Sequence, residues 1–117
     1  MVAEDDKFYS GVYKIKLTAE GYDVGLAKNG EEVIKLAKER MPDLLLLDLI
    51  MPVKDGFTTL SELKKDKKLK NIKVIIMSNL GQEEDINKAK TLGASEYLIK
   101  SNYSLQEMVD KIKGYLL

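Results

Sequence analysis

The strongest constraint on the fold is a run of four leucines that ends in an acid, Leu44-Leu45-Leu46-Leu47-Asp48. The run has no alternation of apolar and polar residues, so neither face of the segment can meet water. A strand covered on both faces is the central strand of a parallel sheet. Ligands in open α/β sheets bind beyond the carboxyl ends of such strands. Asp48 therefore stands where chemistry is expected, at the rim of an apolar wall. A second acidic group, Glu4-Asp5-Asp6, follows another short apolar stretch, Met1-Val2-Ala3. If the two segments run parallel, their carboxylates converge on one edge, and converging carboxylates call for a cation.

The rest of the chain alternates in the same manner. Residues 1–3 read as a very short strand, and 7–20 as a helix with Phe8, Val12, Ile15 and Leu17 among its apolar positions and Gly21 as its C-terminal cap. Residues 22–27 read as a weak strand ending at the Asn29-Gly30 turn, and 31–40 as a helix stopped by Pro42. Pro52 and Gly56 punctuate the loop after the leucine strand, and 57–65 read as helical. Residues 72–77 form a second near-continuous apolar strand that ends at Ser78. A helix over 83–92 stops at Gly93, and a short strand over 97–99 ends at Lys100. Ser104 and Glu107 fit a capping box for a last helix that runs to about Tyr115. Five strands alternating with five helices predict one α/β domain over residues 1–117, a parallel sheet covered on both faces through right-handed crossovers.

Composition removes several classes of function. The 117 residues carry 19 basic and 19 acidic side chains, and this zero net charge argues against direct nucleic-acid binding. Without cysteine there is no disulfide, thiol nucleophile or thiolate metal site. Without histidine there is no imidazole ligand, no Ser-His catalysis and no internal phosphohistidine. No segment has the roughly 18 consecutive apolar residues a membrane span needs. The acidic start does not resemble a signal peptide, so a cytoplasmic protein with no membrane contact is expected. The lysine-rich stretch over 64–70 reads as a solvated helix end and loop.

The predicted strand ends bring Glu4-Asp5-Asp6, Asp48, Ser78 and Lys100 to one edge. Two or three carboxylates hold a hard divalent cation such as Mg²⁺, which fills its octahedron with water and phosphate oxygens. A carboxylate beside that metal can be the nucleophile that becomes an aspartyl phosphate. Lysine neutralises a phosphoryl oxygen, and a serine hydroxyl hydrogen-bonds another. Each residue alone has an ordinary reading: helix-capping acids, a turn aspartate, a strand-end hydroxyl, a solvated lysine. Their joint placement on four strand ends is what favours phosphoryl chemistry.

These same residues carry a resemblance. Glu4-Asp5-Asp6, the leucine run with Asp48, Met51-Pro52, Asp55-Gly56, Ile75-Ile76-Met77-Ser78 and the segment from Gly93 to Lys100 together resemble the receiver domain of two-component response regulators, over essentially the whole chain. The resemblance implies a flavodoxin-like doubly wound sheet of strand order 2-1-3-4-5. It implies Asp48 as the phosphoacceptor. It implies metal ligation by Glu4, Asp5, Asp48 and the backbone carbonyl of Ile50, with Asp5 preferred to Glu4 as the direct ligand of the acid pair, Asp6 starting the helix, and Mg²⁺ or Mn²⁺ as cofactor. Ser78 matches the switch hydroxyl, Lys100 the phosphate-binding lysine and Tyr97 the switch aromatic. The implied protein is a signalling switch rather than an enzyme, able to catalyse its own aspartyl phosphorylation and dephosphorylation. Its implied partners are a histidine kinase or phosphotransfer protein and a downstream protein target. The target would dock on the face formed by the fourth helix, fifth strand and fifth helix. With no second domain expected, output is through docking.

Several positions depart from the family's pattern. The first strand is short, and Gly11 interrupts the first helix at a cost of about 1 kcal/mol against alanine. Ser101 stands where proline is usual after the lysine, and Asn79 stands where a very small residue is usual. Ile50 and Leu80, at positions that border the path of hydrolytic water, are apolar and predict a long-lived aspartyl phosphate. A receiver-like interaction module that is never phosphorylated is the alternative. A flavodoxin would want a hydroxyl- and glycine-rich phosphate loop where the acids stand. An aspartate-nucleophile phosphatase would want an acid at Ile50, and no P-loop is present.

Overall fold

The computed structural model describes residues 1–116. Among them the order is β1 (Val2–Ala3), α1 (Lys7–Ala19), β2 (Leu26–Ala27), α2 (Gly30–Arg40), β3 (Leu44–Leu47), α3 (Gly56–Lys65), β4 (Lys73–Ser78), α4 (Glu83–Thr91), β5 (Glu96–Ile99), a 3₁₀ turn over Lys100–Asn102, and α5 (Leu105–Leu116). The strands form one parallel sheet in the order β2-β1-β3-β4-β5, the expected doubly wound architecture.

The leucine run shows why both faces had to be covered. Leu45 and Leu47 point into one core with Val33, Ala37, Leu60, Leu63, Val74, Ile76 and Ala89, under α2, α3 and α4. Leu44 and Leu46 point into the other with Tyr13, Leu17, Ile75, Met77, Met108, Val109 and Ile112, under α1 and α5. Successive side chains of a strand point to opposite faces, so four consecutive leucines serve two cores.

Helix boundaries follow their caps. Asp6 accepts from the Phe8 and Tyr9 N–H groups and starts α1, Asn29 accepts from Glu32 N–H and starts α2, and Asp55 accepts from Thr58 N–H and starts α3. Gly21 follows α1 at φ +93°, a conformation open to glycine at little cost. The Ser104–Glu107 capping box forms with both reciprocal bonds, at 3.0 and 3.1 Å.

Two expectations need correction. β2 is confined to Leu26–Ala27, not 22–27. It pairs only with β1, which offers two residues, so Tyr22 and Val24 pack against the α1/α5 core instead of extending a ladder. On α1, Tyr13 and Leu17 carry the buried face, whereas Phe8 and Ile15 are 67% and 71% exposed. The helix has two apolar stripes, and the one ending in Leu17 faces the sheet.

Candidate functional site

Parallel register assembles the site. Val2 and Ala3 pair with Leu46 and Leu47, so Glu4 and Asp48 leave adjacent strands at the same level. The Asp48 N–H donates to the Ala3 carbonyl at 3.1 Å, and the Glu4 N–H to the Ala27 carbonyl at 3.0 Å. On the other side Leu47 pairs with Ile76, and Ser78 pairs with Ile99. Ser78 and Lys100 therefore emerge at the same edge. Gly56 braces the acceptor strand from behind: its N–H donates to the Leu49 carbonyl at 2.9 Å, and a Cβ there would collide with the Asp48 carbonyl.

The resulting cleft, about 320 Å³, is lined by Glu4, Asp5, Asp6, Tyr9, Asp48, Ile50, Ser78, Asn79 and Lys100. Lys100 sits between the acids, with Nζ 2.8 Å from Glu4 Oε2 and 2.9 Å from Asp48 Oδ2. The other Asp48 oxygen accepts the Ile50 N–H at 3.1 Å, which fixes the carboxylate plane. Burial and the neighbouring Asp48 push the Glu4 carboxyl up to about 7. For Lys100, burial works toward a lower value, but the hydrogen bonds to both acids outweigh it and hold the ammonium above its ordinary range.

Glu4, Asp5 and Asp48 each offer a carboxylate oxygen within 4.8 Å of the others. Oxygens around octahedral Mg²⁺ at about 2.1 Å lie up to about 4.2 Å apart, so a small inward movement closes this set on a divalent cation. The donor set is all oxygen, as a hard cation requires. Asp5 is exposed and free to turn toward an ion, whereas Glu4 is buried and held by Lys100.

Ser78 is buried, and its Oγ accepts the Leu80 N–H at 3.2 Å. The Tyr97 hydroxyl donates to the Leu80 carbonyl, so both groups grip one residue of the β4–α4 loop. Tyr97 does not line the cleft; it is half-buried beside it, and burial raises its phenol. Of the two apolar positions flagged for water access, Ile50 lines the cleft and is 60% exposed, while Leu80 is held back by its backbone bonds. No cis peptide bond is present among the described residues, and Lys100–Asn102 forms a 3₁₀ turn.

Sequence reading missed Tyr9. Its ring lies 5.1 Å from Lys100 Nζ, a distance at which a ring face attracts a cation. The helical pattern did carry a signal for it: Tyr9, Tyr13 and Leu17 are spaced i, i+4, i+8, so Tyr9 opens the stripe of α1 that faces the sheet and stands at the end nearest the acids.

Residues 1–113 match the family described as response regulator receiver domain. Among curated relatives, the chain is 34% identical over 116 residues to the DNA-binding dual master transcriptional regulator RpaA of Synechocystis, covering 99% of this chain and 48% of that protein. It is 30% identical over 116 residues to the polar-differentiation response regulator DivK of Brucella anthropi, covering 99% and 94%. The Mn²⁺-bound form of response regulator Rcp1 superposes with a TM-score of 0.81 at 28% identity, covering 97% of this chain and 87% of that one. The chain spans about half the length of several curated relatives, between 44% and 55%. Register, cleft and likeness agree: the chain belongs to the response regulator receiver domains.

Proposed function

We propose that this receiver domain is a metal-dependent phosphoacceptor switch in which Asp48 takes a phosphoryl group from a histidine kinase or a phosphotransfer protein. The observation that carries the reading is the meeting of Glu4, Asp5, Asp48, Ser78 and Lys100 in one cleft. An Asp48 oxygen attacks phosphorus, the donor's P–N bond breaks, and its electron pair leaves with the imidazole. The Ile50 N–H and Lys100 orient the Asp48 carboxylate for that attack. Bound at Asp5, Asp48 and the Ile50 carbonyl, with Glu4 beside them, Mg²⁺ or Mn²⁺ would supply positive charge against the incoming phosphoryl oxygens. Lys100 moves from its carboxylate partners to a phosphoryl oxygen, and the Ser78 hydroxyl donates to another.

The switch is a population shift. When Ser78 turns to the phosphoryl group, the Leu80 turn loosens and Tyr97 loses its carbonyl partner. The α4-β5-α5 face, which contains Tyr97, is then the surface a downstream protein target reads. In this reading residues 1–117 act as one receiver domain, in the cytoplasm, with no direct contact to nucleic acid or membrane. Among the described residues no helix is long and apolar enough to cross a membrane. The chain is a switch rather than an enzyme for an external substrate, though its site can promote both formation and hydrolysis of its own phosphoaspartate. Nothing at the site favours the never-phosphorylated interaction module over this reading.

Intact mass after incubation with Mg²⁺ and phosphoramidate tests the proposal. One phosphoryl group should appear on the wild type, and none without metal or in Asp48→Asn. A folded wild type that gains nothing would overturn it. The apolar Ile50 beside the acceptor predicts slow loss of that group after the donor is removed, and loss within seconds would contradict this.

A further inference from the structure

Two of the chain's departures from the family pattern meet in space. Asn79 stands where a very small residue is usual and Ser101 where proline is usual, and the Ser101 N–H donates to Asn79 Oδ1 at 3.1 Å. Proline at 101 would have no N–H to give, and a very small residue at 79 would have no side-chain acceptor within reach. The bond therefore exists only because both departures occur together. A backbone N–H can only donate, so it also fixes which end of the Asn79 amide faces Ser101.

The bond joins the two segments that must rearrange. Asn79 lies between Ser78 and Leu80, whose N–H is held by Ser78 Oγ and whose carbonyl is held by Tyr97. Ser101 lies in the 3₁₀ turn that begins with Lys100, and the Tyr103 N–H closes that turn on the Lys100 carbonyl at 3.3 Å. Lys100 is thus gripped at both ends, by Glu4 and Asp48 at Nζ and through the Asn79 amide at its backbone turn. We propose that Asn79 is a positioning residue whose bond to Ser101 couples the Ser78 loop to the Lys100 turn, so that the two phosphate-contacting groups move as one unit. The role assigned to those groups rests on the phosphoacceptor reading above; the tie itself stands on the hydrogen bond.

Two readouts on the full chain test this. In the unphosphorylated protein, the Ser101 amide should exchange with solvent roughly tenfold faster in Asn79→Ala than in wild type. Asn79→Asp keeps an acceptor oxygen and should restore the protection. With phosphoramidate and Mg²⁺, Asn79→Ala and Ser101→Pro should each slow phosphorylation roughly tenfold, and the double variant should be no slower than either. The unfolding midpoint of Asn79→Ala should meanwhile move no further than for an ordinary surface substitution. Unchanged Ser101 exchange in Asn79→Ala, or rate effects that multiply in the double variant, would overturn the coupling. If the wild type accepts no phosphoryl group, the phosphoacceptor reading falls, and the amide exchange still decides whether the tie exists.

Discussion

The two halves of the sheet are built on different principles. β2 and β1 contribute two residues each, whereas β3 and β4 contribute four and six. The thick half rests on apolar burial: Leu45, Leu47, Val74, Ile75 and Ile76 are all fully buried. The thin half has little ladder to lean on. Its acid, Glu4, is tied across the site by Lys100, which lies 96 residues away in the chain. The candidate cleft straddles the seam between the halves, with Glu4 and Asp5 from one and Asp48, Ser78 and Lys100 from the other. The lesson is that register, not strand length, builds such a site. A short ladder, with Leu46 N–H on the Met1 carbonyl and Asp48 N–H on the Ala3 carbonyl, is enough to set the two acids side by side.

If that contrast is right, core truncation should hurt the thick half most. Leu45→Ala should cost about 3 kcal/mol in urea unfolding. Val2→Ala in the thin half removes less apolar surface and should cost about 1.5 kcal/mol. Equal costs would erase the distinction.

The buried acid of the thin half should appear in the pH dependence of stability. Folded Glu4 keeps its proton up to about pH 7, whereas an unfolded glutamate releases it near 4.5. Between those values the folded state binds more protons, so Glu4's contribution is full below pH 4.5 and is lost as pH rises through 7. In metal-free buffer the wild type should therefore lose stability from pH 5 to pH 8, and Glu4→Gln should lose less. Parallel pH profiles for the two proteins would show that burial of Glu4 carries no such linkage.

Two backbone substitutions sharpen the comparison with smaller effects. Val53, in the loop after β3, has φ +68°, a conformation that a β-branched residue adopts only under strain. Val53→Gly should stabilise the protein by about 1 kcal/mol. Gly11 lies inside α1, and a Cβ there would meet nothing within 4 Å. Gly11→Ala should add about 0.8 kcal/mol. Thermal melts of both variants check the signs, and a destabilising Gly11→Ala would mean that α1 is packed more tightly than this structure has it.

How much of this was legible in the sequence follows the same division. The leucine run forced a doubly covered central strand, and the alternation of segments forced the parallel sheet. The strand-end residues then fell into one cleft because parallel strands finish at one edge. The Ser104–Glu107 box was legible because a cap is local. What sequence could not supply depends on contacts between distant segments. The extent of β2 was set by how little β1 offers. The buried face of α1 was chosen by the sheet beneath it, which took Tyr13 and Leu17 and left Phe8 and Ile15 outside. Asn79 and Ser101 were each visible as departures, but their partnership spans 22 residues and shows only in three dimensions.

The central claim is that the seam between the halves holds a phosphoacceptor at Asp48. Its most direct test is to incubate the full chain with Mg²⁺ and phosphoramidate, trap the acyl phosphate by hydride reduction, and map the modified residue by peptide mass. The account predicts modification at Asp48 alone, with none in Asp48→Asn. Modification at Asp5 or Ser78, or an adduct that persists in Asp48→Asn, would contradict it.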